Sequence, residues 1–379
     1  MRALFLALLM TLMAVSPAWA DRLIRIGILE QAQAATLSCS VDSLLMKGDR
    51  VLASLPASTS IDISLQDDEL VVQGMDLAPT EGPLTLQPAS PSADVREYLG
   101  MRPYRGTLEV RVGKGYLTVV NQLPLDQYLY GVVPCEVIPS WPAEALKCEA
   151  VAARTYALCN LGQFASLGYD LKATVASQAY GGARAETLAT NEAVDETHGQ
   201  VVTYHGRPIW AVYCDSTGGY TESSLAVWGK ALPYLQPVPD FDQESPRYVW
   251  DSLATYDRIA RAMARFDVNI GNLEDIEVLS RSFTGRVTKA RLIGSQGTAD
   301  VTGAKLRWAF GLRSTFFNVA RQSDGAFLFA GRGWGHGVGM SQWGSKRLAD
   351  MGYTYQQILG YYYPGTKISS DSLIRLSRR

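Results

Sequence analysis

The sequence contains no CxxC or HxxxH spacing and only 3 histidines in 379 residues, so it offers no ready zinc framework. His198, His205 and Cys214 are the one set that could converge on a metal. A turn histidine at His205-Gly206 and a small apolar thiol at Cys214 are the plainer account. Basic excess is also missing. The formal net charge is -2 and the pI is about 6.0, which argues against a nucleic-acid surface. Beyond residue 20 no segment approaches the roughly 18 consecutive apolar residues of a membrane span. No low-complexity tract or internal repeat occurs. The 5 cysteines (Cys39, Cys135, Cys148, Cys159 and Cys214) are odd in number, so full intramolecular pairing is excluded. Cys148 and Cys159 fall on one expected helix, separated by roughly 16 Å of rise, too far to bridge each other.

What is present begins with MRALFLALLMTLMAVSPAWA. One Arg, a short apolar run and Ala-Trp-Ala read as a secretory signal peptide cleaved after Ala20. The mature chain is then expected to be exported. Residues 21–100 alternate in short runs such as LIRIGIL and SIDISL and read as a β-rich region, with a loop or insertion over 76–100. Residues 101–235 form the expected core. GTLEVRVGKGYLTVVNQLPLDQYL reads as a hairpin turning at Gly113–Gly115. A helix is expected from about Pro142 to Gln163, with Leu146, Ala150, Ala153 and Ala157 as its buried stripe. Residues 236–325 read as an inserted or second lobe. Residues 326–379 return to the core. The expected fold class is α+β: mostly antiparallel sheets, a long alanine-rich helix, and two lobes forming a cleft.

Just before that helix stands YLYGVVPCEVIPSWPAEALKCEAVAARTYAL. It places Glu136 in an apolar, proline-bracketed loop. Burial among Val132, Val133, Val137 and Trp141 disfavours the carboxylate and raises its pKa. A carboxylic acid that is neutral near pH 7 suits general-acid attack on a glycosidic bond. A helix-cap role is the structural alternative. Lys147 and Arg154, on an adjacent stripe of the helix, would lower that pKa if they point at Glu136; a solvated helix face is equally compatible.

Further along, GRGWGHGVGMSQWG has Gly at 331, 333, 335, 337 and 339. In an extended chain this would leave one face as bare backbone and line up Arg332, Trp334, His336, Val338 and Met340 on the other. Bare backbone beside Trp334 would suit a sugar ring; tight sheet packing would explain it too. The stretch lacks the GK[ST] ending of a phosphate loop.

Taken in order, YLYGVVPCEVIPSWPAEALKCEAVAARTYAL, ASQAYGG, DETHGQVVTY, STGGYTE, LRSTFF, GRGWGHGVGMSQWGSKRLADMGY and ILGYYYPGT resemble the SpoIID/LytB family of sporulation and cell-wall proteins. The resemblance spans nearly all of the chain after residue 20. It implies a lytic transglycosylase that cleaves the N-acetylmuramic acid–β-1,4–N-acetylglucosamine bond in glycan strands stripped of stem peptides. The family's glutamate, in its P-x-E-[MVI]-P motif, falls on Glu136. Cys135, Cys148 and Cys214 depart from the residues common in the family. Expected glycan contacts are Lys147, Arg154, Gln178, Tyr180, Ser216, Thr217, Trp334, His336 and Gln342. No cofactor, metal or nucleic acid is implied. The partner is the peptidoglycan strand, in the periplasm or outer cell wall. LytB-like members suggest a rival, a non-catalytic enhancer of a cell-wall amidase. A thiol hydrolase using Cys135 or Cys214 with His336 is a further alternative.

Overall fold

The computed structural model describes residues 22–90 and 95–370. The signal-peptide reading lies outside the described residues. Where the chain is described, the architecture is α+β and mainly antiparallel. A seven-stranded sheet has the order Leu171–Lys172, Leu23–Ala32, Leu117–Pro124, Thr107–Val112, Leu84–Pro88, Ser43–Lys47, Arg50–Leu55. Only the contact of Ile26 and Gly27 with Leu171 and Lys172 is parallel in it. A five-stranded sheet packs beside it, built from Glu69–Val72, Ile61–Gln66, Ala34–Cys39, Glu97–Leu99 and Arg102–Tyr104. The expected hairpin is present, with Thr107 opposite Gln122 and Val112 opposite Leu117. Residues 76–100 are not a plain loop: Leu84–Pro88 sits inside the large sheet, because Leu84 and Leu86 supply the two inward side chains its core needs.

The last strand of the hairpin runs straight into helix α1 (Leu125–Glu136), and α2 (Ala143–Cys159) follows. The expected stripe of α2 is buried: Leu146, Ala150, Ala153 and Ala157 pack into the core under the sheets. Its other side is buried as well. Cys148, Val151 and Ala152 face a second cluster that includes Val212, Met340, Tyr362 and Tyr363. A helix that is apolar nearly all round is a buried helix. Alanine at so many positions lets it sit between two cores without wide spacing. The solvated face weighed for Lys147 and Arg154 therefore shrinks to Lys147 alone.

Helix α3 (Leu188–Glu196) is capped by the Thr187 hydroxyl and followed by Gly199 with φ of 66°. Helix α4 (Ser224–Trp228) is short. A third hydrophobic cluster is drawn from residues 250–329. It comprises the sheet Val249–Ala254, Phe327–Arg332, Phe317–Arg321, the sheet Leu273–Arg281, Val287–Gly294, Gly297–Thr302, and helices α5 (Tyr256–Met263) and α6 (Gly303–Phe310). The stretch DSLATYDRIARAMARF is only partly helical, since its first residues extend a strand opposite Phe327–Arg332. Helices α7 (Gln342–Asp350) and α8 (Tyr355–Tyr362) close the second cluster. No helix among the described residues is long and apolar enough to cross a membrane.

One core carboxyl has a consequence for stability. Glu97 is fully buried, and among the described residues only the Cys39 thiol stands against its carboxyl. Burial pushes it from its ordinary 4.5 up to about 8, beside the Cys39 thiol. The folded state thus holds a proton that the unfolded state releases. The stability tied to that proton is full below about 4.5 and is lost as pH rises to about 8. Glu97→Gln should flatten this decline, which urea unfolding at pH 5 and pH 8 would read. Equal pH slopes in both proteins would contradict it.

Candidate active site

Glu136 is the last residue of α1, not part of a loop. Pro134 sits inside that helix and lacks the N–H that would continue the ladder, so the helix stops two residues later. Val137 is extended and its N–H closes back on the Val133 carbonyl. Glu136 is partly buried, and its neighbour Cys135 is exposed. Burial raises the Glu136 pKa; the Ala179 N–H, 2.9 Å from Oε1, and the Gln342 amide pull it down less. The carbonyl end of α1 also opposes negative charge there. Arg154 is held by Asp126 and Lys147 by Glu144 and Glu196, so burial, not a neighbouring cation, dominates at Glu136.

Gln342 comes near Glu136 because of what precedes it. Tyr213–Cys214 and Met340–Ser341 form a short parallel pair, with Tyr213 opposite Met340. Ser341 then caps α7 by accepting the Gly344 N–H, so Gln342 opens the helix at the inner end of the pair. The glycine-rich stretch that leads there is not an extended strand. Gly333, Gly335, Gly337 and Gly339 have φ of 75°, 119°, 78° and 74°, so every second residue is left-handed. A period of two was read correctly as period, but its cause is backbone conformation. At Gly339 a Cβ would stand 2.1 Å from the Val212 carbonyl oxygen. Gly339→Ala should therefore lower unfolding free energy by about 2 kcal/mol or more, measurable by urea denaturation.

The site thus gathers Glu136, Gln178, Ala179, Tyr213 and Gln342. Gln178 is buried and fully engaged. It accepts from Tyr128 Oη at 3.3 Å and donates to Ala153 O at 3.3 Å and Tyr213 Oη at 2.9 Å. These bonds tie Tyr213 to the residue that precedes Ala179. Tyr213 lies close enough to Glu136 and Glu149 that their charges would oppose its ionisation. Trp141 and Trp343 pack edge to face with centroids 5.0 Å apart, one in the loop after Glu136 and one beside Gln342. Trp141 is expected beside Glu136 from the sequence, but Tyr213, Glu149 and Trp343 were missed there. Trp343 had a signal, because it lies within the glycine-rich motif already singled out.

Other expected contacts are placed elsewhere. Arg154 is fully buried. It pairs with Asp126 Oδ1 at 2.7 Å and donates to Thr197 Oγ1, Gln200 O and Val194 O, and none of it is exposed to a ligand. Lys147 pairs with Glu144 and Glu196. Tyr180 is buried and donates to Asn121 Oδ1 at 2.8 Å. Ser216 and Thr217 are buried; their hydroxyls are spent on Asp242, at 2.6 Å, and on Asp240. Trp334 is 37% exposed, but the guanidiniums of Arg247 and Arg313 lie over its ring at 4.4 and 4.9 Å. His336 accepts the Val338 N–H on Nδ1 at 3.0 Å, within its own loop. Burial, then Arg307 and Arg286, drive its pKa down to about 3, so it is a neutral brace and not a charged contact.

The thiol alternative finds no support. Burial raises the Cys135 thiol and takes Cys214 up to about 12, where a nucleophile needs the opposite. His198 pairs with Asp126 at 2.9 Å, and His205 occupies a turn with φ of 50°. No group of three or more His, Cys, Asp and Glu among the described residues is placed to hold a metal ion.

Comparison with known proteins bears on this arrangement. The family described as Stage II sporulation protein (SpoIID) matches residues 113–204, which carry Glu136, α2 and Gln178. A domain of unknown function, DUF8618, matches residues 226–339. The chain is 32% identical to the stage II sporulation protein D of Bacillus subtilis over 66% of its own length and 76% of that protein. Against the same-named protein of Bacillus amyloliquefaciens the values are 33%, 67% and 77%. It is also 29% identical to the amidase enhancer of Bacillus subtilis, over 90% of this chain and 56% of that longer protein. The chain belongs to the stage II sporulation protein D (SpoIID/LytB) family.

Proposed function

We propose that this protein is an exported lytic transglycosylase of peptidoglycan, cleaving N-acetylmuramic acid–β-1,4–N-acetylglucosamine bonds in peptide-free strands with Glu136 as acid and then base. The observation that carries this reading is the setting of Glu136. It is reachable, it favours the neutral acid, and the Ala179 N–H on its Oε1, with the Gln342 amide nearby, awaits the carboxylate that forms when the proton leaves. Glu136 would protonate the leaving glycosidic oxygen as the bond from the muramic C1 breaks. The resulting carboxylate would take the proton from the sugar's own C6 hydroxyl as O6 bonds to C1, closing the 1,6-anhydro ring. The nucleophile is already part of the substrate, so proximity is built in. The N–H groups of Ala179 and Gln342 steady the charge between the two proton transfers.

Retaining and inverting glycosidases use two carboxyls, one of them ionised. Glu149 is a second carboxyl beside this site, although no second acid stood out in the sequence. It is 1% exposed and burial raises its pKa, so it is unsuited to activate water or attack sugar. This supports the one-acid scheme. Incubation of residues 21–379 with peptide-free strands should yield anhydro-muramic products, and glycan binding without them would sink the enzyme reading.

The amidase-enhancer likeness, which spans 90% of this chain, favours one rival: a non-catalytic wall protein that binds glycan and stimulates an amidase. It would raise the rate of an added cell-wall amidase, and Glu136→Gln would leave that effect intact.

A further inference from the structure

Glu149 has no task in the scheme above, and burying an acid without one is costly. It stands on α2, and Gln342 Nε2 donates to its Oε1 at 3.3 Å. Its Oε2 is buried without any hydrogen-bond partner. The same Gln342 amide lies near enough to Glu136 to draw its pKa down. An amide nitrogen carries two N–H groups, enough to serve both carboxyls. Gln342 therefore stands between two acids in one apolar pocket.

Two carboxyls so placed cannot both ionise cheaply. Their surroundings decide which one keeps its proton. Glu136 is partly exposed and has the Ala179 N–H besides Gln342. Glu149 is 1% exposed and has Gln342 alone. The titratable groups that feel Glu149 are Glu136 at the end of α1, Tyr213 on the short parallel strand, Tyr363 after α8 and Cys148 next to it on α2. None of these is a cation that would stabilise a second carboxylate.

We propose that Glu149 is a positioning residue: a carboxylic acid kept neutral, whose Oε1 anchors Gln342 so that the other amide N–H meets the Glu136 carboxylate as it forms. This rests on the reading of Glu136 as acid and base. Glu149 itself transfers no proton. A charged Glu149 would oppose the charge that Glu136 acquires. A side chain that cannot accept from Gln342 would let the amide turn, so that its oxygen could face the carboxylate instead.

The test compares wild type, Glu149→Gln and Glu149→Leu on peptide-free strands, with kcat, KM and pH profiles. Glu149→Gln retains a neutral acceptor. It should keep kcat within about threefold and leave the alkaline limb of kcat/KM in place. Glu149→Leu should lower kcat about tenfold or more with KM little changed. The wild-type-minus-Glu149→Gln infrared difference at pH 7 should show the C=O band of a protonated carboxylic acid. A downward shift of the alkaline limb by about one pH unit in Glu149→Gln would mean that Glu149 is charged in wild type, and would overturn the proposal. So would unchanged kcat in Glu149→Leu, or no band in the difference spectrum. If Glu149→Leu does not fold, the Glu149→Gln profile and the infrared band still decide. Absence of turnover in wild type overturns the reading of Glu136 and this role with it. The three other adverse results, in an active wild type, overturn this role alone.

Discussion

Replacing Glu136 by glutamine is expected to lower formation of anhydro-muramic products by about 10²–10⁴-fold, the usual contribution of a positioned general acid. Folding should be unharmed. Burial raises the Glu136 pKa, so the folded protein binds that proton more tightly than the unfolded chain does. The stability linked to it is full below the unfolded pKa and is lost as pH rises through the folded one. Glutamine carries no such pH dependence, so the variant should be at least as stable as wild type at neutral pH. In the wild type, activity should fall on the alkaline side as Glu136 loses its proton. A variant that unfolds and loses activity together would leave the chemical role unproven. A folded variant with full turnover would remove it.

The second large effect is on stability. Arg154→Ala should cost about 3–5 kcal/mol of unfolding free energy, because it strands the Asp126 carboxylate inside the core. Asp126 would keep only His198, whose side chain is 57% exposed. The carbonyls of Val194 and Gln200 would each lose a donor as well. Urea unfolding reads the loss. A variant of normal stability that has lost glycan binding would restore Arg154 to the ligand side.

These two residues show what was legible in the sequence and what was not. The hairpin from Thr107 to Pro124 and the buried stripe of α2 follow from local periodicity, and both are present. Glu136 stood out because apolar and proline neighbours surround it in sequence. Its place at a helix end did not, because proline inside a helix is ordinarily read as a break. Arg154 looked like a glycan contact because it shares a helix with the motif. The partner that claims it, Asp126, is on another helix, and only packing brings the two together. Gln342 and Glu149 are 193 positions apart, beyond the reach of any local pattern. The glycines at 333, 335, 337 and 339 misled for a different reason. Alternation every second residue is the signature of a strand, yet here it records alternate left-handed backbone. Ser216 and Thr217, likewise, advertised free hydroxyls that two buried aspartates, Asp240 and Asp242, already hold.

The central claim is that Glu136 cleaves glycan strands and does not merely help to bind them. The most direct measurement is mass spectrometry of the products from purified residues 21–379 incubated with peptide-free peptidoglycan strands, beside Glu136→Gln. The account predicts fragments ending in 1,6-anhydro-N-acetylmuramic acid from the wild type, and only traces of them from the variant. Strands that bind to both proteins and are recovered uncut from both would contradict it, and would make the amidase-enhancer reading the better one.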